Sequence, residues 1–503
     1  MSRTQRFFYN SLSTAFYQVC IMIAGLVMPR IMLKYYGSEI NGLVSSINQF
    51  IVYFNLVEAG LSSAAIYALY KPLADNDHKA INGVVAAAKK FYTQSGYIFV
   101  SLTIGLAIFY PLFIDIDILS PISVVLLVLI LGTNGALEFF TLSKYRVLLT
   151  ADQRTYVISL ASLVHIITST IIVIIFGTMR IDIVLLRLIA LSSIFLRSLI
   201  LMVYTKINYK YVDYKVSPNT KALNKRWDAL YLQIMGAIHT GAPIIILTIV
   251  TRDLKLVSVY SIFNMVIVGL NGLLSIFKSG LPASFGDVIT RGETKTLQRS
   301  YSEFELLYYA LITVIYSVAF VTIMPFIRIY TSGVTDVDYN LPLVGFLFVL
   351  SGLLYNLKTP QGMLVISAGM FRETRAQVTI QGLITVVLGF IMTPFIGIYG
   401  VLIASILSDI YRSIDLLIFI PRKLTKLPVK LTVKRILMIL VSTVIILLPF
   451  YQIRLNPSNY IEWGLYACII GLYSCAVVFI VSFLFDRDTF KGITRRLKGM
   501  VRK

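Results

Sequence analysis

Ten ionisable side chains fall inside apolar runs long enough to cross a bilayer. The bases are Arg30, Arg187, Arg197, Arg328, Lys358 and Arg412, and the acids are Glu58, Glu138, Asp409 and Asp415. Asp182, Asp228, Glu305 and Glu462 stand at the ends of such runs and are set aside. A charge in hydrocarbon is costly unless it faces a wet cavity or a partner. The bases exceed the acids by two, a tilt that suits an anionic ligand. Arg328 lies near an outer end, where a long side chain also reaches the headgroups.

Helices must position these groups. Arg187 and Arg197 are ten residues apart, nearly three turns, so they lie within about 80° of each other at two depths. Asp409, Arg412 and Asp415 recur at i, i+3 and i+6, a spacing that favours internal ion pairs and a self-neutralised cluster. Pro29, Pro243 and Pro360 are hinge candidates, because proline bends a helix that neighbours can re-satisfy. Lys358 adjoins Pro360, where either a broken helix exposes a site or the lysine snorkels to the inner surface. Glu58 and Glu138 are coupling candidates, by titration or by sodium binding, or else partners for a buried arginine. His165 and His239 fall in mid-run and are read as hydrogen-bonded helix contacts ahead of proton carriers.

The composition fits this picture. Of 503 residues, 57% are hydrophobic and only 14% charged, with a mean hydropathy of +0.81. That is too apolar for a soluble domain. Cys20, Cys468 and Cys475 lie in apolar segments and suggest neither a disulfide framework nor a metal site. His78, His165 and His239 have no ligand spacing, so no metal is expected. The basic start MSRTQRFFYN precedes an apolar run that continues to about Leu33 without a small-residue cleavage site. It is read as a retained first helix.

Fourteen spans are expected, at about 11–33, 41–70, 91–113, 122–144, 156–177, 181–204, 228–250, 255–285, 304–330, 341–366, 376–396, 399–421, 435–451 and 461–485. The fold class is thus an all-α polytopic membrane protein with about fourteen transmembrane helices. With the N-terminus inside, the only outside bases are Lys34, Arg180, Arg252, Lys255 and Arg454, and six more lie within spans. All the other lysines and arginines fall inside, a strong positive-inside bias that puts both termini in the cytoplasm. Two outside loops are acidic, at Asp115 and Asp117 and at Asp336 and Asp338. The formal charge of +21 is therefore a cytoplasmic collar facing anionic lipids, and no nucleic-acid partner is expected. The longest inside loop follows span six. It divides the chain into residues 1–206 (an N-lobe, spans one to six), 207–227 (a cytoplasmic linker), 228–421 (a C-lobe, spans seven to twelve) and 422–503 (spans thirteen and fourteen with a basic tail). Six spans return the chain to its starting side, so the two lobes would be parallel pseudo-repeats.

The stretch MPRIMLKYYGSEINGLVSSINQFIVYFNLVEAGLSSAAI resembles the opening of the bacterial polysaccharide flippases of the Wzx or PST type. These belong to the superfamily that also holds the lipid II flippases and the MATE multidrug exporters. The shared features are a proline-bearing first helix, a Gly-centred turn and a second helix ending in a Gly-Leu-small run, here Gly60-Leu61-Ser62. Residues 355–414 resemble the later signature of the family, with Pro394, Gly397 and Gly400 forming its kink and Asp409 on the helix that follows. Several relatives carry Asn near the end of span eleven, where this chain has Gly389-Phe390-Ile391.

The resemblance implies two six-helix lobes around a cavity and alternating access. The implied cargo is a polyprenyl-diphosphate-linked oligosaccharide, a precursor of capsule, exopolysaccharide or another surface glycan, moved from the inner to the outer leaflet of the bacterial plasma membrane. A diphosphate crossing a layer roughly 30 Å thick needs a wet groove with matching cations, and arginine's planar fork suits phosphate best. Arg30, Arg187, Arg197, Lys358 and Arg412 are the candidates. Polysaccharide polymerase and chain-length machinery are partners implied by the resemblance, alongside membrane lipids. No ATP-binding motif appears, so no cofactor is expected, and a proton or sodium gradient or the membrane potential would supply the energy. The alternative is a cation-coupled multidrug exporter of the same fold, although the first span holds no carboxylate. An enzyme is disfavoured because no loop is large enough for a catalytic domain. The buried charges weigh against a pure scaffold.

Overall fold

The computed structural model describes residues 3–501 except 115, 117, 221–222, 224–226, 279–280 and 454. Asp115, Asp117 and Arg454 of the expected outside loops therefore lie outside the described residues. So do Lys221, Lys225 and Arg226 of the linker and Arg502 and Lys503 of the tail. The described chain is helical, with no strand. Twelve of its helical stretches are long and apolar enough to cross a membrane, as expected of a multi-pass membrane protein.

The chain divides into two compact units, Met1–Val259 and Tyr260–Lys503. The first contains α1 (Arg3–Phe54), α2 (Leu61–Asp75), α3 (His78–Phe113), α4 (Pro121–Leu137), α5 (Ser143–Ala151), α6 (Thr155–Thr178), α7 (Ile183–Asn208) and α8 (Trp227–Thr251). It also holds the start of α9 (Leu254–Lys278). Polar residues set the helix starts. Asp77 caps α3 through the Ala80 amide at 2.9 Å, and Ser120 caps α4 just ahead of Pro121, whose missing N–H is no loss there.

The apolar stretch Phe8–Asp75 runs 68 residues, far longer than a bilayer needs at about 1.5 Å per residue. It breaks at Gly37, with φ 84°, and again at the Asn55–Glu58 turn and Gly60, with φ 77°. Both glycines hold positive-φ positions, open to that residue at little cost. Pro29 lies inside the unbroken helical part of α1, and Pro243 inside α8. Beyond the break, α1 packs tightly. A Cβ on Gly42 would collide with the Leu254 carbonyl, and Asn41 donates to Ser258 Oγ at 2.8 Å.

At one end of this unit the α5–α6 turn is tied to its neighbours through Asp152. The carboxylate pairs with Arg6 at 3.1 Å and Arg154 at 2.8 Å, and it accepts from Tyr209 OH at 2.5 Å. Burial, and the hydrogen bond to a carboxylate, hold the Tyr209 phenol protonated far above its usual range.

The second unit contains the rest of α9, α10 (Leu281–Thr290), α11 (Thr294–Tyr330), α12 (Pro342–Leu357), α13 (Thr359–Ser367), α14 (Arg375–Ile396), α15 (Ile398–Ile420), α16 (Val429–Leu447), α17 (Tyr460–Phe485) and α18 (Arg487–Val501). The expected span 255–285 is two helices, α9 and α10, and the expected span 341–366 is broken at Lys358 between α12 and α13. α11 is the central element, packed by α12, α16, α17 and α18. Its buried face includes Leu306 against Met438, Ile446 and Val478. α14 and α15 form a close hairpin, because a Cβ on Gly400 would meet the Thr393 backbone.

Candidate functional site

In the first unit the site is built where α4 ends. The turn Glu138–Leu142 is wider than an α-helical turn and carries one additional residue. Eight residues along a regular helix overshoot two turns by about 80°. The added residue takes up most of that offset and returns Arg146, on α5, to the face of Glu138. Arg146 Nη1 then lies 2.5 Å from Glu138 Oε1. From α7, Arg197 Nη2 approaches the same oxygen at 3.5 Å. Glu138 thus stands between two guanidinium groups. Its side chain is 33% exposed and that of Arg146 38%, against 13% for Arg197.

Other groups share this field. Glu58 ends the turn Asn55–Glu58 and feels both Arg146 and Glu138. His165 on α6 meets Ser193 Oγ on α7 at 2.8 Å through Nδ1, within reach of the charges of Arg197 and Glu138. His239 is buried on α8. The Arg197 Nε is buried without an acceptor.

The remaining candidates of this unit lie elsewhere on it. Arg30 is half-buried on α1. Arg187 is half-buried on α7 and places Nη2 3.2 Å from Met32 Sδ. Asp182 is engaged as the cap of α7, accepting from Val184 and Leu185 at 2.9 and 3.2 Å.

In the second unit most of the candidate charges are paired with one another. Lys358, at the break before Pro360, forms an ion pair with Asp409 on α15 and lies 4.7 Å from the Tyr355 ring centre. Gln381 Nε2 donates to the same Asp409 oxygen at 3.3 Å. Arg412 pairs with Asp415 at 2.5 Å. Of the three charges on α15, Arg412 and Asp415 pair as their spacing suggests, while Asp409 is bound to Lys358, 51 positions away. Arg328 reaches Asn456 Oδ1 at 3.2 Å.

The Asp409 side chain is 2% exposed. Asp409→Asn should therefore leave Lys358 buried without its counter-charge and cost about 3–5 kcal/mol. Replacing both, as Lys358→Met with Asp409→Leu, should recover most of it. Thermal melting of the purified protein reads both, and a single variant as stable as wild type would remove this pair from the structural core.

Sequence reasoning passed over a larger network. Arg435, fully buried on α16, sends Nη1 to Glu305 Oε2 at 2.7 Å and Nε to Asp486 Oδ2 at 2.9 Å. Its Nη2 donates to Ser302 at 2.8 Å and Thr489 at 3.1 Å. Glu305 also accepts from Tyr301 at 2.8 Å and Gln361 at 2.9 Å. By sequence, Arg435 is one of the many basic residues on the inside, and Glu305 stands at a span end. The available signal was Tyr301, Glu305 and Tyr309 at i, i+4 and i+8, a polar stripe on one face of a spanning helix.

Solved structures share this fold. The lipid II flippase MurJ in an inward closed conformation superposes with a TM-score of 0.68 at 16% identity, over 96% of this chain and 99% of that one. An inward-facing multidrug resistance MATE family transporter of the MOP superfamily gives 0.65 at 14% identity, over 78% and 92%. MATE in a bent conformation gives 0.55 at 13% identity, over 86% and 97%. No family model matches the sequence, and no curated protein does. At such identities the likeness establishes the fold, that of the lipid II flippase and the MATE transporters.

Proposed function

We propose that this chain is a flippase for a polyprenyl-diphosphate-linked oligosaccharide. It moves the cargo from the inner to the outer leaflet of the bacterial plasma membrane by alternating access. The observation that carries this reading is Glu138 held between Arg146 and Arg197 while about a third exposed. An ionised cluster open to that degree among apolar helices requires a wet face, and two guanidinium groups beside one carboxylate offer planar donors to a phosphate. The pairs of the second unit are less open, with side chains 2–17% exposed.

In this reading the chain crosses the membrane fourteen times with both termini in the cytoplasm. The stretch Phe8–Asp75 folds at Gly37 and counts twice, and α15 counts as a span despite Asp409, Arg412 and Asp415. Glu58 and Glu138 are the coupling carboxylates, driven by a proton or sodium gradient or by the membrane potential. Polymerase and chain-length proteins take the product on the outer side.

The second reading is a cation-coupled multidrug exporter, favoured by Glu58 and Glu138, whose carboxylates suit a cationic drug. The test is the sidedness of lipid-linked oligosaccharide in cells depleted of the protein. Intact units should accumulate on the inner leaflet while the outer pool vanishes. An unchanged outer pool together with lost efflux of cationic dyes would replace the flippase reading with the exporter.

A further inference from the structure

The turn between α6 and α7 is pinned against α1, where Tyr36 OH donates to the Ile181 carbonyl at 2.8 Å. This contact carries Arg180 over the ring of Tyr35, with its guanidinium carbon 5.9 Å from the ring centre. Lys34 Nζ lies 5.4 Å from the same ring centre. Both cations are exposed, and neither has an ion-pair partner among the described residues. One turn into α7, the Arg187 Nε is buried without an acceptor, and no described carboxylate pairs with that side chain. Asp182, the acid of this turn, spends one oxygen on the amides of Val184 and Leu185.

Arg180 has φ 55° at the end of α6, a left-handed position normally filled by glycine or asparagine. The chain places an arginine there at a conformational cost. An aromatic ring orients cations without neutralising them, so the charge remains available to an anion.

We propose that Lys34, Arg180 and Arg187 form a second anion-binding subsite in the first unit, one that takes a phosphate-bearing lipid headgroup. The proposal rests on the flippase reading. In the orientation given there, this end of the unit is the outer one. Arg187 is ten residues from Arg197 on α7, about 15 Å along the helix axis. A headgroup leaving the Glu138 cluster would therefore find cations again near the outer surface. Basic residues are scarce on that side, and the convergence of Lys34 and Arg180 on one ring is not explained by topology. Exposed cations bind weakly and are screened by salt, which suits a site that must release its ligand.

The test uses full-length protein in phosphatidylcholine nanodiscs, titrated at low salt with farnesyl diphosphate and, separately, with phosphatidylglycerol added to the disc. The variant is Lys34→Gln with Arg180→Gly. Glycine relieves the left-handed strain, so the fold should melt no lower than Lys34→Gln alone. Affinity for farnesyl diphosphate should nevertheless fall about tenfold, the scale of losing charge-assisted contacts. The charge-keeping pair Lys34→Arg with Arg180→Lys should retain most of it.

Unchanged farnesyl diphosphate affinity in the variant, with a loss in Arg197→Gln, would overturn the outer subsite and leave the flippase reading standing. A loss confined to phosphatidylglycerol would overturn it in favour of an ordinary phospholipid contact. Failure of the wild-type protein to bind farnesyl diphosphate would remove the subsite and count against the flippase reading as well.

Discussion

Arg435→Met should cost about 3–5 kcal/mol of stability, the scale of breaking a buried ion pair. Wild-type Arg435 and Glu305 are both buried. The guanidinium pairs with both Glu305 and Asp486, at 2.7 and 2.9 Å. Without it, two carboxylates remain in a dry interior. Glu305 keeps donors from Tyr301 and Gln361, but hydrogen bonds from neutral groups replace only part of a lost counter-charge.

The network has structural reach, because its members come from α11, α13, α16 and the start of α18. Losing it should detach α16–α18 from α11 before the rest of the unit melts. Thermal unfolding in detergent reads the stability, and limited proteolysis after Phe485 reads the detachment. Adding Glu305→Gln to Arg435→Met should recover part of the loss, since a neutral amide tolerates burial better than an unpaired carboxylate. A variant with wild-type melting and wild-type protease resistance would show that the network carries no stability.

The same residues show what a linear reading can and cannot see. Apolar length is a local property, and it locates helices well where both ends meet polar residues. The expected spans 156–177, 376–396 and 461–485 are helices Thr155–Thr178, Arg375–Ile396 and Tyr460–Phe485. Hydropathy loses a helix once it continues into polar sequence. α3 begins at His78 rather than near 91, and α11 at Thr294 rather than near 304, because polar turns hydrogen-bond their backbone like apolar ones.

The charged groups were visible individually, but their partners were not. Arg412 and Asp415 are three residues apart and could be paired on paper. Lys358 with Asp409, and Arg435 with Glu305, are joined only by helix packing. Glu138 with Arg146 depends on one wide turn that no periodicity announces. The break in the first helix was legible, because the polar turn expected between spans 11–33 and 41–70 falls at Gly37, with φ 84°. A proline costs one hydrogen bond and leaves the backbone helical, whereas a glycine opens a region of φ that other residues avoid.

Arg197→Ala should lower outward movement of the lipid-linked glycan by tenfold or more while leaving the protein inserted and folded. The geometry separates these two effects. Arg197 holds Glu138 at 3.5 Å, whereas Arg146 holds it at 2.5 Å. Removing Arg197 leaves Glu138 with its closer partner, so no carboxylate is stranded and the stability cost should stay small. The Arg197 Nε, buried without an acceptor, is the donor that a phosphate would satisfy, and its loss falls on the cargo.

A charge-assisted contact is worth about 1.5–3 kcal/mol, or roughly ten- to a hundredfold. Arg30→Ala should act in the same direction from α1. Arg197→Lys then separates charge from shape. Full rescue means that a point charge suffices, and failure means that the planar fork engages two phosphate oxygens. The measurement is the outer-leaflet pool of lipid-linked glycan, scored beside surface labelling to verify insertion. Normal export from correctly inserted Arg30→Ala and Arg197→Ala would end the proposal that these cations receive the cargo. The partly exposed cluster around Glu138 would then be better explained by ion coupling through Glu58 and Glu138.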